Sequence, residues 1–291
     1  MTCQKYDIIF KSMVKFSSIF CMLVALIAGL VIPLILILVI NKKIKASLKP
    51  FFTGCVTFVL FALVIEGTFN FLIFNRLIGV EKMMALPTWL FARIGGLMAG
   101  IFEETGRYVA FRTFLKKDLS NIKTPFVYGA GHGGVEAFII LVSVMATNLV
   151  IAFLINKGNS SILLKDASVE QVGQILKMIE TVKTTSPVMY LVSIFERLTT
   201  IALHILLSVI VWYAAKNKKI QYYFAAILLH AFVDFCGAVL MGKIHLMWVE
   251  VVLILVTSMV GLFAIAIWYH EDKDPEMKRQ AELELQNDSN Q

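Results

Sequence analysis

Seven long apolar blocks constrain this sequence more than any other feature. They cover about residues 17–40, 51–74, 88–114, 126–154, 188–214, 222–241 and 246–269. Each block is long enough for a membrane-spanning helix, which needs about 20 mostly apolar residues. Charged residues make up only 16% of the chain, against about 25% in an ordinary soluble domain. The sequence therefore predicts an all-α, polytopic transmembrane bundle of about seven spanning helices.

The connections between the blocks are short, apart from residues 155–187. We therefore expect a single integral membrane domain over residues 1–270, followed by a short charged tail at 271–291. Within the longer connection, Ser168 and Gln171 form a capping-box pattern ahead of apolar residues at helical spacing. This pattern predicts a short helix lying on the outer membrane surface.

Lysines determine the predicted orientation, because short cytoplasmic loops of membrane proteins carry an excess of positive charge. Three lysine clusters follow the first, third and fifth blocks: Lys42, Lys43, Lys45 and Lys49; Lys116, Lys117 and Lys123; Lys216, Lys218 and Lys219. We expect these loops in the cytoplasm, with the N-terminus outside and the C-terminal tail inside. Anionic lipid explains basic residues next to a bilayer, so nucleic acid is not expected as a partner.

Ionisable residues inside apolar helices are costly in lipid and by default indicate a functional site. Most of them lie in the third to sixth blocks: Glu103, Glu104 and Arg107; His132 and Glu136; Glu196, Arg197 and His204; His230 and Asp234. At about 1.5 Å per residue, each of these four helices places a Glu or His roughly 12–17 Å from its cytoplasmic end. We therefore expect one polar layer, which Glu196 fits poorly because it lies nearer the outer face.

Spacing within each helix predicts which side chains share a face, because residues four apart are neighbours. Three pairs have this spacing: Glu103 with Arg107, His132 with Glu136, and His230 with Asp234. A further line at the same spacing consists of Ala92, Gly96, Gly100 and Glu104. Small residues in such a line allow close helix contact in membranes, so Glu104 is predicted to lie in a helix interface.

The predicted layer suits hydrolysis, in which a glutamate activates water as a general base. In one version, His132, His204 and His230 hold zinc, with water in the fourth position. In the metal-free version, Glu103 polarises water directly while His132 and His230 stabilise the oxyanion. Both versions use the same residues, so the ligand types leave the choice open.

Other functions use the same kinds of residue. A proton- or ion-coupled transporter is the competing hypothesis, because intramembrane Glu, His and Asp also form proton relays. Transporters often contain inverted repeats with interrupted helices, and the sequence shows no such repeat. A non-catalytic scaffold that keeps an old site is the third hypothesis. Some of these residues also have a structural interpretation without any catalytic role. Glu103 and Arg107 would then form a buried ion pair, and Glu196 and Arg197 would anchor two helices to each other.

The polar segments also resemble a known family. They read Glu103-Glu104-Thr105-Gly106-Arg107, His132-Gly133-Gly134-Val135-Glu136-Ala137 and His230-Ala231-Phe232-Val233-Asp234. In this order they are similar to the YhfC family of bacterial intramembrane proteases, distant relatives of type II CAAX prenyl endopeptidases, bacteriocin-processing enzymes and PrsW proteases. Asp234 stands where CAAX-type enzymes have Asn. Two residues separate Glu104 from Arg107, where those enzymes have three. These differences favour the YhfC or PrsW-like branch.

The resemblance implies a multi-pass endopeptidase of the bacterial plasma membrane, with catalytic helices over about residues 88–241 and zinc as a candidate cofactor. Its substrate is a membrane-embedded or membrane-proximal peptide cleaved near the cytoplasmic side. The sequence specifies neither the individual substrate nor the oligomeric state.

Matching positions also imply a role for each motif residue. Glu103 is the water-activating base with Glu104 beside it, Arg107 is an ionic anchor, His132 and His230 are catalytic or metal-binding, Asp234 orients His230, and Glu136 matches a glutamate of PrsW-like proteins. His204 is added because of its depth in the membrane and not because of the resemblance.

Overall fold

A computed structural model describes residues 13–79, 82–83, 85–165, 167–273 and 279. Over these residues the chain is almost entirely helical and contains no strand. The helices are α1 (Phe16–Ile44), α2 (Lys49–Ile78), α3 (Thr88–Arg112), α4 (Thr124–Asn156), α5 (Val169–Thr184), α6 (Pro187–Asn217), α7 (Ile220–Leu240) and α8 (Leu246–Lys273). The predicted all-α class is confirmed.

Six helices of the described chain are long and apolar enough to cross a membrane, namely α1, α2, α4, α6, α7 and α8. The third predicted block is also helical, as α3, but every stretch of 18 residues within it contains at least three charged residues. The chain is therefore a helical membrane bundle. The count of seven spans and the orientation stay predictions.

The short helix α5 forms where the capping pattern predicted it. The Ser168 hydroxyl accepts a hydrogen bond from the Gln171 backbone N–H at 3.3 Å, and Gln171 Oε1 accepts one from the Ser168 N–H at 2.9 Å. The two bonds satisfy N–H groups that have no partner within the helix. On its apolar face Ile179 and Val182 are buried. Its place on the membrane surface stays a prediction.

Contacts within the chain form two compact units. The first comprises the described residues of Met1–Leu34 together with Ala137–Arg197, and the second those of Ile35–Glu136 together with Leu198–Gln291. In the first unit, the Asn156 side chain receives a hydrogen bond from the Val14 N–H at 2.7 Å and donates one to its carbonyl at 3.1 Å. This pairing fixes the chain just before α1.

In the second unit, α3 packs on α7 through the predicted line of small residues. A Cβ atom on Gly96 would lie 2.7 Å from the carbonyl oxygen of Ala231, and one on Gly100 would lie 2.7 Å from that of Ile227. Only glycine allows the two backbones to come this close. The predicted close contact is confirmed, and one turn further along α3 it brings Glu104 against α7.

Glycines also position α4 within the second unit. A Cβ atom on Gly131 would collide with the backbone of Phe51 in α2, and one on Gly129 with the backbone of Ile205 in α6. Close contact on both sides leaves α4 little freedom to rotate or slide. His132, which directly follows Gly131 and is completely buried, is therefore held on a fixed backbone.

Two neighbouring glycines of α3 test the importance of this packing. Gly96→Ala should destabilise the protein by about 1–3 kcal/mol, because overpacking against backbone atoms cannot be relieved by a side-chain movement. Gly95→Ala is the matched control, because a Cβ atom there meets nothing within 4 Å. Thermal unfolding of both variants in detergent measures the difference. Equal midpoints for the two variants would show that α3 and α7 do not depend on this contact.

Candidate active site

Glu103 of α3 faces the histidines of α4 and α6. Its Oε2 atom lies 2.9 Å from Nε2 of His132 on α4 and 3.9 Å from Nδ1 of His204 on α6. Glu103 is only 8% exposed, and both histidines are almost fully buried. One carboxylate oxygen therefore faces two imidazole nitrogens in a nearly water-free environment.

Glu104, turned by about 100° from its neighbour in the helix, faces a different set of partners. Arg107 Nη1 donates to both of its carboxylate oxygens, at 2.9 and 2.7 Å. His230 Nδ1 on α7 lies 2.8 Å from Glu104 Oε1. Because Glu104 and Arg107 are both fully buried, each supplies the charge that the other requires.

Arg107 also contacts His204, and this contact determines the tautomer of the ring. Arg107 Nη2 lies 3.0 Å from His204 Nδ1. A guanidinium has only donors, so Nδ1 accepts with its lone pair and the ring proton belongs on Nε2. Nε2 lies 2.6 Å from Glu136 Oε2 on α4. His204 is therefore held from both sides, by a donor on one nitrogen and an acceptor on the other.

His230 lies between two carboxylates. Besides the contact with Glu104, its Nε2 is 3.6 Å from Asp234 Oδ2. That separation is longer than a hydrogen bond, and the Asp234 side chain is 40% exposed. His230 is thus anchored firmly on Nδ1 and only loosely on Nε2.

The three intramembrane histidines form a continuous row. The ring centroids of His132 and His204 are 4.6 Å apart, and those of His204 and His230 are 5.4 Å apart. With Glu103 and Glu104 on α3, groups from four helices therefore meet in one cluster. We define the histidine–glutamate cluster as Glu103, Glu104, Arg107, His132, Glu136, His204, His230 and Asp234.

Two predicted pairings turn out differently. Arg107 pairs with Glu104 and not with Glu103, because residues three apart also share a helix face and Glu103 is turned towards His132. Glu136, expected beside His132, contacts His204. The pairing of His230 with Asp234 is present.

Glu196 and Arg197 are adjacent residues of α6 that form an ion pair with each other, with Arg197 Nη2 2.5 Å from Glu196 Oε1. Both belong to the first compact unit, whereas every member of the cluster belongs to the second. The ion pair joins residues of one helix, and the role of an anchor between two helices stays a prediction.

Two aromatic residues around His132 were given no role in the site from the sequence. The Phe58 ring meets His132 edge to face at 5.2 Å between centroids, and the Tyr128 ring lies 6.1 Å away. Tyr128 precedes His132 by one helical turn, so the four-residue spacing is a signal that would have found it. Phe58 on α2 carries no such signal, because it is one of 22 phenylalanines.

Part of the cluster fits a metal ion. Among the described residues, Glu103, His132 and His204 offer ligand atoms that all lie within 4.8 Å of one another. Ligands of a tetrahedral zinc, bound at about 2.0–2.1 Å, are roughly 3.3 Å apart. The distances of 2.9 and 3.9 Å from Glu103 Oε2 lie on either side of that value. Two imidazoles and a carboxylate are ligands that zinc commonly takes.

This set differs in one member from the three histidines considered from the sequence. Glu103 takes the place of His230, whose two ring nitrogens face Glu104 and Asp234. The nitrogen of His132 that lies near Glu103 is Nε2, at 2.9 Å from Oε2, while its buried Nδ1 has no hydrogen-bond partner in the part of the chain that the structure describes. The residues present therefore fit a metal ion held by one glutamate and two histidines.

Comparison with known proteins gives a consistent result. Residues 28–255 match the family described as YhfC intramembrane metalloprotease. The chain is 35% identical over 230 residues to a protein of Bacillus subtilis (strain 168) named uncharacterized membrane protein YhfC. The matched region covers 78% of this chain and 88% of that protein. No solved structure matches.

The two adjacent glutamates should differ in their effect on stability. Glu104→Ala leaves the Arg107 guanidinium buried without a carboxylate, which should cost about 3–5 kcal/mol. Glu103→Ala removes contacts to histidines only and should cost about 1–3 kcal/mol. Thermal unfolding in detergent compares the two variants. A larger loss in Glu103→Ala would contradict the assignment of Glu104 as the structural partner of Arg107.

Proposed function

Because the chain belongs to the YhfC intramembrane metalloprotease family, we propose that it hydrolyses a peptide bond in a membrane-embedded or membrane-proximal substrate. One observation carries the proposal, namely the contact of Glu103 with both His132 and His204 inside a buried cluster. In the proposed orientation the cluster lies towards the cytoplasmic side of the bacterial plasma membrane. The family match favours a protease over a proton-coupled transporter.

Glu103, His132 and His204 would hold the metal ion, with zinc as the expected metal. When bound there, the metal supplies Lewis-acid polarisation of the scissile carbonyl and acidification of the attacking water. The remaining steps belong to side chains of this chain.

Glu103 is the proposed general base. Its Oε2 faces the two histidines, which leaves the other carboxylate oxygen to accept the proton of the attacking water. In the absence of a bound metal, the imidazole of His132, 2.9 Å from Oε2, holds the carboxylate in a single orientation. Burial keeps competing bulk water away from the bond that is attacked.

His230 is the proposed donor to the substrate. Glu104 fixes its Nδ1 at 2.8 Å, while Nε2 has only the longer contact of 3.6 Å with Asp234. When His230 is protonated on both nitrogens, with Nδ1 donating to Glu104, its Nε2 can donate a hydrogen bond to the developing oxyanion and then its proton to the leaving amine. The proton that Glu103 takes from the attacking water restores the imidazolium for the next turnover. Asp234 keeps the imidazole oriented between these steps.

Arg107 and Glu136 are proposed positioning residues. Arg107 fixes Glu104 and the Nδ1 side of His204, while Glu136 lies against the Nε2 side. Neither is required to exchange a proton with the substrate. They determine the orientation of the residues that do.

Substitution of the proposed base and donor tests this function. Glu103→Ala and His230→Ala should each abolish cleavage, because proton transfer to and from the reacting groups is lost. Glu271→Gln is the matched control, because Glu271 is also buried and paired, with Lys216 at 3.2 Å, but lies outside the cluster. Mass spectrometry of new peptide N-termini in membranes of cells expressing each variant measures cleavage.

The outcomes are distinct. Wild-type cleavage products in the Glu271→Gln cells and none with the two cluster variants would support the proposal. Wild-type levels of product with both Glu103→Ala and His230→Ala would contradict it, provided that both proteins are present in the membrane.

Metal content tests the proposed ligand set separately. Purified wild-type protein should contain about one metal ion per chain, and His132→Ala should reduce that content and raise the dissociation constant by at least about 10- to 100-fold, because it removes a direct ligand and the loss of an outer-shell partner alone typically has an effect of that size. Elemental analysis of the detergent-purified proteins measures both. An active sample without stoichiometric metal would contradict metal catalysis and favour direct activation of water by Glu103.

A further inference from the structure

Arg107 occupies the atom that His204 offers to a metal ion. Its Nη2 donates to His204 Nδ1 at 3.0 Å, and Nδ1 is also the nitrogen that lies 3.9 Å from Glu103 Oε2. A neutral imidazole nitrogen has a single lone pair. That lone pair cannot accept the arginine hydrogen bond and bind a metal ion at the same time.

The other nitrogen of His204 does not offer an alternative. Nε2 lies 2.6 Å from Glu136 Oε2 and, in the tautomer that Arg107 requires, carries the ring proton. The ring is therefore already in the protonation state that a metal ligand needs, with Nδ1 bare and Nε2 anchored to a carboxylate. The guanidinium of Arg107 is therefore the group that must leave Nδ1 before a metal ion can bind there.

Electrostatics makes the two cations exclude each other. A metal bound to Nδ1 at about 2.0–2.1 Å would lie within a few ångströms of a guanidinium nitrogen placed 3.0 Å from the same atom. Arg107 and His204 are almost fully buried, and repulsion between like charges is stronger in such a site than in water. The two occupants are alternatives.

Arg107 can give up this contact without losing its main partner. Its Nη1 makes both hydrogen bonds to Glu104, so the ion pair does not depend on Nη2. Its buried Nε has no hydrogen-bond partner among the described residues, so no hydrogen bond from them fixes that side of the guanidinium. A small rotation that withdraws Nη2 would leave the Glu104 pair in place.

We propose that Arg107 is an internal competitor for the metal, which caps His204 Nδ1 in the metal-free protein and withdraws from it when the ion binds. This inference rests on the proposed metal site and adds a regulatory element to it. The cap lowers the affinity of the site for the ion.

Zinc affinity of arginine variants tests the competition. Arg107→Lys keeps a positive charge for Glu104 but replaces the two-nitrogen fork by a single ammonium nitrogen. Arg107→Met removes every donor, while Glu104 keeps its contact with His230. Arg112→Lys is the matched control, because Arg112 lies on the same helix and donates to the Ala215 carbonyl at 3.3 Å, outside the cluster.

Competition with a chromophoric chelator measures zinc binding to each purified protein in detergent, after thermal unfolding has confirmed that it is folded. Arg107→Lys and Arg107→Met should bind zinc about tenfold or more tightly than wild type, the size of effect expected when a hydrogen bond from a charged group no longer competes. Arg112→Lys should bind zinc as wild type does. In a protein that already carries His204→Ala, the further change Arg107→Lys should give no increase in zinc affinity, because the increase acts through His204 Nδ1.

Each contrary result has its own meaning. Equal zinc affinity in wild type and both Arg107 variants would overturn the competition and leave the proposed metal site intact. If Arg107→Lys raises zinc affinity even in the His204→Ala protein, the role of Nδ1 is overturned. Absence of zinc binding in every variant would overturn the metal site together with this inference, whereas the cleavage experiment on Glu103→Ala would still decide whether the protein is a protease.

Discussion

The ion pair between Glu104 and Arg107 is the interaction on which the rest of the cluster depends. Two fully buried opposite charges are stable together, and removing either would leave the other unpaired at a high cost. The pair is also the geometric reference for two histidines. Glu104 holds His230 on α7, and Arg107 holds His204 on α6. One ion pair within α3 thereby determines the orientation of side chains on two other helices.

Backbone contact makes this arrangement possible. Gly96 and Gly100 allow α3 to approach α7 closely enough for Glu104 to reach His230, and Gly129 and Gly131 hold α4 between its neighbours. Lipid provides no hydrophobic driving force between helices, so small residues and polar contacts supply much of the association. The glycines that bring the helices together and the residues that form the cluster therefore lie on the same helices, within a few residues of each other.

The sequence predicted the helices and the meeting of their polar groups better than it predicted the individual partners. Helix periodicity correctly placed Glu104 in an interface, because the small-residue line indicates one face. It assigned Arg107 to Glu103, whereas Arg107 pairs with Glu104. Offsets of three and four residues are both close on a helix surface, and the choice between them depends on His132, which belongs to another helix. The candidate ligand set, with Glu103 in place of His230, depends on the same rotation.

Glu103 and Glu104 show how one short motif separates structure from reactivity. Adjacent positions on a helix point about 100° apart, so two identical carboxylates enter different environments. Glu104 receives a permanent cation and a histidine, which engage both of its carboxylate oxygens. Among the described residues, the contacts of Glu103 are with His132 and His204, and neither is a permanent cation like the partner of Glu104. A bound ion or the proton of an attacking water can supply that charge. For this reason we assign the proposed chemistry to Glu103, and we assign the stability of the cluster to Glu104.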